Sequence, residues 1–521
     1  MGAIRRGYIR VNGVRIHARF AGSGPAIVLL HQSPRSSAEY EPLIEALSER
    51  YFVFAPDTPG NGDSEALAGA REVDDYAAIF DALLDKAGVG RCVIYGYHTG
   101  ASLAAAAALH APHRYARAIL NGLCAFDTDE RADITANYLR PIVPDWSGSH
   151  LAWAWARMRE QMVFFPWYDK RPGARMTFPM APAGMIHAGV VDLLRATDYA
   201  APYGAAFRCD ARDLLAGRHA AMAVWATPSD PLRPHLDRVA QALPGIAARQ
   251  IAPGLDALIE EIDAVMAEHS GELDRLNAPS GLEESGRCFV GGPGAQLHIE
   301  DLHDGQGAPV VVLPDYGAGL GAVEGALRLL SRGRRVVAVD LPGFGGSAPL
   351  RALGWSDLDD VADGLAHVLH DRGVAGAVVV GWGLGAALAA HPRLASAAAR
   401  RIDVDPLAGS WRARLDAQAG LLEPDWAGGH LQAVWHAVRD SYLFSPWYDR
   451  RVETIRRAIA PPQPARLQAH VIYTIAASPQ AAALLEMMVC EDARSGAETV
   501  LPATALTDPG MDRRLLDLAD K

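Results

Sequence analysis

Cysteine is scarce in this 521-residue chain: there are 5, and no two stand in a C-x-x-C pair. Scattered at 92, 124, 209, 288 and 490, they exclude a disulfide frame and a cysteine zinc site and suit reduced thiols. Positive charge is also short, since 49 Lys and Arg against 61 Asp and Glu leave a net charge of −12. With no basic run to match, nucleic acid and anionic membranes are excluded as main partners. No apolar run reaches the ~18 residues that a bilayer span needs. The first residues, Met1 to Arg6, lead straight into a strand pattern with no signal peptide. A cytoplasmic protein is expected.

What is present is a repeat. Pro144-Asp145-Trp146-Ser147-Gly148-Ser149-His150-Leu151 recurs as Pro424-Asp425-Trp426-Ala427-Gly428-Gly429-His430-Leu431. At the same offset Trp155, Arg159 and Phe164 recur as Trp435, Arg439 and Phe444, and Pro166-Trp167-Tyr168-Asp169 as Pro446-Trp447-Tyr448-Asp449. Earlier landmarks match as well. The strand Ala26 to Leu30 pairs with Val310 to Leu313, and Asp57-Thr58-Pro59-Gly60-Asn61-Gly62-Asp63-Ser64 with Asp340-Leu341-Pro342-Gly343-Phe344-Gly345-Gly346-Ser347. Gly96-Tyr97-His98-Thr99-Gly100 pairs with Gly381-Trp382-Gly383-Leu384-Gly385. Such a period marks a tandem array and must be settled before any fold is assigned.

In each half the order of signals is strand, Gly-rich turn, helix, strand, helix, glycine-flanked turn, helix and a helical insertion. Alternation of this kind implies a mostly parallel sheet with helices on both faces. The Asp-x-Pro-Gly-x-Gly-x-Ser turn and the Gly-x-His-x-Gly elbow, in this order, resemble the α/β-hydrolase superfamily over nearly the whole chain. The resemblance implies an α/β fold of two tandem domains, residues 1–270 with a helical cap near 125–215 and residues 286–521 with a cap near 405–490. The polar stretch 271–285 reads as the linker. His31-Gln32-Ser33-Pro34-Arg35-Ser36 and Gly-x-His-Thr-Gly look like a bacterial subgroup with histidine at the elbow. The second half reads as a degenerate copy: its elbow carries Gly383, and the 13 residues after Asp508 are too few for a closing strand and helix.

Gly381-Trp382-Gly383-Leu384-Gly385-Ala386, with Asp403 downstream, also fits a dinucleotide fingerprint. The repeat register gives those residues to a worn elbow and Asp403 to a strand. No cofactor is expected, and no histidine pair at ligand spacing points to a metal.

In the superfamily an elbow nucleophile, a late acid and a later histidine cooperate. Here His98 holds the elbow, and Asp230, after the strand Val224-Trp225-Ala226, takes the acid position. Where the histidine should follow stands Pro253-Gly254-Leu255-Asp256, so standard serine hydrolysis is excluded. An imidazole reaches farther than a serine hydroxyl, and His98 is expected to meet Asp230 directly as a dyad, acting as general base or nucleophile. The resemblance maps two oxyanion-binding N–H groups to Gln32 and Thr99. His31, Ser33, His150, Trp167, Tyr168 and His187 are the further pocket candidates. The cap motif recurs where the elbow is glycine, and that favours fold or interface roles for its aromatics.

The expected activity is that of an atypical α/β-hydrolase-fold enzyme acting on a small carbonyl compound, by ester or thioester hydrolysis or by cofactor-free C–C cleavage or elimination. The rival is a non-catalytic relative that binds a small ligand or a protein. The two halves are expected to form an intramolecular pseudo-dimer, with a homo-oligomer as a further option.

Overall fold

In the computed structural model the described residues are 3–69, 72–177, 179–218, 221–303, 305–404, 410–457, 461–477, 481–491 and 500–501. Two units emerge, one of residues Met1–Ile142 and Ala154–Glu283, the other of Val143–Trp153 and Glu284–Lys521. The cap motif at Pro144 to Leu151 thus belongs to the second unit.

The first unit begins with an antiparallel pair, β1 (Arg5–Val11) and β2 (Val14–Ala21), turned at Asn12-Gly13. The strands β3 (Gly24–Leu30), β4 (Phe52–Pro56), β5 (Cys92–Tyr97), β6 (Tyr115–Asn121), β7 (Met222–Ala226) and β8 (Ala247–Gln250) follow. The sheet order is β1-β2-β4-β3-β5-β6-β7-β8, parallel from β4 to β8. Strand alternation sorts the core into two layers. Val28, Leu30 and Ile94 face the helices Val73–Ala87 and Thr99–His110. Ile27, Leu29, Val93 and Tyr95 face Glu41–Leu47 and Leu255–His269.

The stretch after Ser270 is docked on this unit. Strand β9 (Arg275–Leu276) pairs with β3, Leu282 bridges to Ile9, and the Glu283 carboxylate takes Arg10 and Arg15 at 2.8 Å each.

The second unit repeats the plan with β10 (Gly286–Gly292), β11 (Ala295–His303), β12 (Gly307–Leu313), β13 (Arg334–Val339), β14 (Val378–Trp382), β15 (Arg400–Val404) and β16 (Val500–Leu501). Their order is β10-β11-β13-β12-β14-β15-β16. The expected missing closing strand and helix after Asp508 lie outside the described residues. Among the described residues no helix is long and apolar enough to cross a membrane.

Candidate active site

The sharp turn between β5 and the helix Thr99–His110 forces His98 to φ 48° and ψ −109°. Left-handed backbone is uncommon for a residue with a Cβ, and such strain persists only where the surroundings over-determine it. Gly383 holds the same geometry in the second unit, at φ 47° and ψ −106°. The two elbows are one local structure built twice.

His98 Nε2 lies 3.0 Å from Asp230 Oδ2 and 3.2 Å from Oδ1. The Leu232 N–H donates to Asp230 Oδ1 at 2.7 Å, and the Tyr97 hydroxyl stands 3.5 Å from Oδ2. Burial pushes the Asp230 carboxyl up, but the His98 ring and the Leu232 N–H outweigh it and hold the group below its ordinary value. With Nε2–H donating to the carboxylate, Nδ1 keeps its lone pair. The Tyr97 ring stacks on the imidazole with centroids 3.9 Å apart, and the His98 side chain stays 21% exposed.

Gly122, at φ 66°, closes the other side. A methyl group there would overlap His98 Cδ2 and approach Asp230 Oδ2 to 3.1 Å. Gly122→Ala is therefore expected to destabilise the chain by about 1–3 kcal/mol. It should also break the dyad, as a shift of the His98 ring signals in NMR would report.

Thr99 N–H opens its helix without a hydrogen-bond partner, as an oxyanion donor must. Gln32 does not serve this way. Its backbone N–H donates to Glu39 Oε1 at 3.0 Å and its side-chain amide to Oε2 at 2.9 Å. The second unit shows which N–H groups converge on the elbow. Asp315, at the register of Gln32, folds its own Oδ1 into the elbow and accepts from Leu384 N–H and Tyr316 N–H, each at 2.7 Å. Leu384 corresponds to Thr99 and Tyr316 to Ser33. By the same register the first unit presents the Thr99 and Ser33 N–H groups at this place, and the Ser33 N–H has no other partner.

The remaining candidates divide. His31 is a strut: Nδ1 faces Gln32 O at 2.8 Å, and Nε2 accepts from Thr58 N–H at 2.9 Å. His150 is no pocket residue either, because Nδ1 accepts from Asp145 N–H at 3.3 Å and Nε2 lies 2.7 Å from Gln468 Oε1, all within the second unit. Trp167 gives its N–H to Tyr138 O at 3.1 Å, and Tyr168 gives its hydroxyl to Asp133 at 2.6 Å. Both pack with Tyr138 as the cap's own core. His187 is half-buried on the helix Ala183–Arg195.

One cluster has metal-ligand composition. His17, Asp57 and Asp63 bring ligand atoms within 4.8 Å of one another. Asp57 is already committed to His17 Nδ1 at 2.9 Å and to the Ser37 and Asp63 N–H groups. The second unit repeats this strut with His298 on Asp340 at 2.7 Å and the N–H groups of Leu320 and Gly346. Asp403, from the dinucleotide pattern, is buried on β15 and meets Arg401 at 3.1 Å.

Family models match both halves of the chain. One for the alpha/beta hydrolase fold matches residues 25–154, and one for the alpha/beta hydrolase family matches residues 310–518. The chain carries two α/β-hydrolase-fold domains in tandem. It is 37% identical over 94 residues to a soluble epoxide hydrolase of Corynebacterium, covering 18% of this chain and 33% of that one. It is 31% identical over 119 residues to haloalkane dehalogenase 2 of Mycobacterium tuberculosis, covering 23% and 42%. A 2-(acetamidomethylene)succinate hydrolase of Mesorhizobium japonicum is 30% identical over 104 residues, covering 20% and 37%. The chain thus spans less than half the length of these relatives. Among solved structures, the enol-lactonase from Burkholderia xenovorans is similar at TM-score 0.37 and 21% identity, over 50% of this chain and 97% of that one.

Proposed function

We propose that the first domain is an atypical hydrolase-fold enzyme acting on a small carbonyl compound, with His98 as general base. The observation that carries this reading is the 3.0 Å contact between His98 Nε2 and Asp230 Oδ2, on an elbow whose neighbouring Thr99 N–H is unspent. In ester or thioester hydrolysis, Nδ1 takes a proton from water as the water oxygen attacks the carbonyl carbon. The developing oxyanion meets the Thr99 and Ser33 N–H groups, and the imidazolium then returns the proton to the leaving alkoxide or thiolate. A base beside two such donors equally suits removal of a proton next to a carbonyl, the entry to C–C cleavage or elimination.

A second reading is a non-catalytic ligand binder. It draws on the Tyr97 ring, which covers one face of the imidazole at 3.9 Å. Turnover of esters, thioesters, lactones and β-diketones by the wild type and by Asp230→Asn separates the two. The enzyme reading expects turnover of at least one class, lowered about 10–1,000-fold by the substitution because the imidazole loses its orienting carboxylate. No turnover of any class favours the binder, and turnover unaffected by Asp230→Asn removes the dyad.

A further inference from the structure

In both domains the loop after the first parallel strand of the elbow sheet, β3 or β12, meets the turn after its neighbour, β4 or β13. The two copies make that meeting differently. In the first, Asn61 Nδ2 donates to Ser33 Oγ at 3.2 Å. In the second, the same two positions hold Phe344 and Tyr316, whose rings meet edge to face with centroids 4.7 Å apart. The register is set by landmarks on either side, since Leu30 aligns with Leu313 and Asp57 with Asp340. A second tie changes in step. The His31 and Thr58 pair, joined at 2.9 Å, stands where the second domain has Pro314 and Leu341. Both copies keep the aspartate: Asp57 accepts from Ser37 N–H and Asp340 from Leu320 N–H, each at 2.7 Å.

Stability does not account for the polar pair. Asn61 is 0% exposed and Ser33 2%, and Asn61 Oδ1 has no hydrogen-bond partner. A buried polar pair contributes little net stability, and apolar groups of matching shape replace it at little or no loss. The second domain is that replacement, with Phe344 buried against Tyr316 and the elbow dihedrals unchanged.

The copies also differ in what their donors meet. In the second domain the Tyr316 N–H is occupied by Asp315 Oδ1, which holds it in place. In the first, the Ser33 N–H is open and no protein acceptor fixes its direction. An open donor has to be held from behind, and Asn61 grips the side chain of the same residue. Polar pair, open N–H and elbow histidine occur together in one domain and are replaced together in the other.

We propose that Asn61 is a positioning residue: by holding Ser33 Oγ it keeps the Ser33 N–H directed at the oxyanion that develops on the substrate. This role rests on the catalytic reading of the first domain.

Asn61→Leu, Ser33→Ala and the double variant of the full chain test it, on whichever of the esters, thioesters, lactones and β-diketones the wild type turns over best. Each single change should lower kcat roughly 10–100-fold and move KM less than about threefold, because an oxyanion donor acts mainly in the transition state. The double variant should be no slower than the slower single one, since both changes break one tie. It should nevertheless melt at a higher temperature than Asn61→Leu, as no hydroxyl is left stranded. Activity that recovers along with stability, or losses that multiply, would make Asn61 purely structural and overturn the proposal. Crystal structures of wild type and Asn61→Leu give a readout that needs no turnover. The Ser33 nitrogen should shift by at least about 0.5 Å relative to the Thr99 nitrogen, the tolerance within which such a site works. An unmoved Ser33 overturns the positioning role, whereas a shifted Ser33 in a chain that turns over nothing supports it and counts against the catalytic reading alone.

Discussion

Replacing His98 by alanine is expected to lower kcat/KM on any substrate the protein turns over by about 10²–10⁴-fold, the range a positioned general base contributes. Glycine at the same position should be equally inactive and yet more stable than alanine by about 1 kcal/mol, because the backbone stands at φ 48°. Both variants leave Asp230 equally bare, so their difference isolates the strain. The second domain already carries glycine at its elbow, with φ 47°. Should alanine and glycine prove equally stable in denaturant melts, the strain is absent. Should either retain full activity, His98 is not the base.

The pH dependence of the dyad has a definite sign. Folding holds the Asp230 carboxyl below its ordinary value, so the pair's contribution to stability is complete above about pH 4. It is lost as pH falls through the lowered value, where the carboxylate takes a proton and releases the imidazole. Asp230→Asn should flatten that acid limb of stability, as denaturant melts at a series of pH values would show.

The elbow at 96–100, the order of elements along the chain and the duplication were legible in the sequence. Glycine spacing and apolar strands are local signals, and two copies of a pattern reinforce each other. The contact between His98 and Asp230 followed from reach, with the usual histidine missing and a late carboxylate in line. Hydrogen-bond closure was not legible. Gln32 looks like a free loop amide until Glu39, seven residues on in a short helical turn, consumes both of its donors. His31 and His150 carry reactive rings, but their nitrogens are spent on Thr58, Asp145 and Gln468, groups that no motif announces. The cap aromatics face one another because Tyr138, absent from the repeated motif, sits among them. One signal was available and pointed the other way: the repeat register sets a carboxylate, Asp315, opposite Gln32. A fixed negative charge at that place says that the second elbow already holds an oxyanion.

That oxyanion leads to the larger effect on stability. Asp315 Oδ1 accepts two backbone N–H groups, and Oδ2 meets Arg414 Nη2 at 2.8 Å, tying the helix Trp411–Gln418 to the elbow. The Arg414 side chain is 6% exposed and the Asp315 side chain 33%, so the pair is screened on one side only. Asp315→Ala strands the guanidinium and both N–H groups at once. Hydrogen bonds to charged groups contribute about 1.5–3 kcal/mol each, and breaking a buried pair costs about 3–5, so after discounting for the exposed carboxylate a loss of about 2–4 kcal/mol is expected. Asp315→Asn keeps the oxygen and should lose about half as much. A chain of two domains does not melt in one step, so hydrogen exchange at the Tyr316 and Leu384 amides is the cleaner readout. Both should exchange faster by a factor of at least roughly 30 in the alanine variant, while Thr99 in the first domain stays unchanged. Equal exchange at Leu384 in wild type and Asp315→Ala would mean that the carboxylate does not hold the second elbow closed.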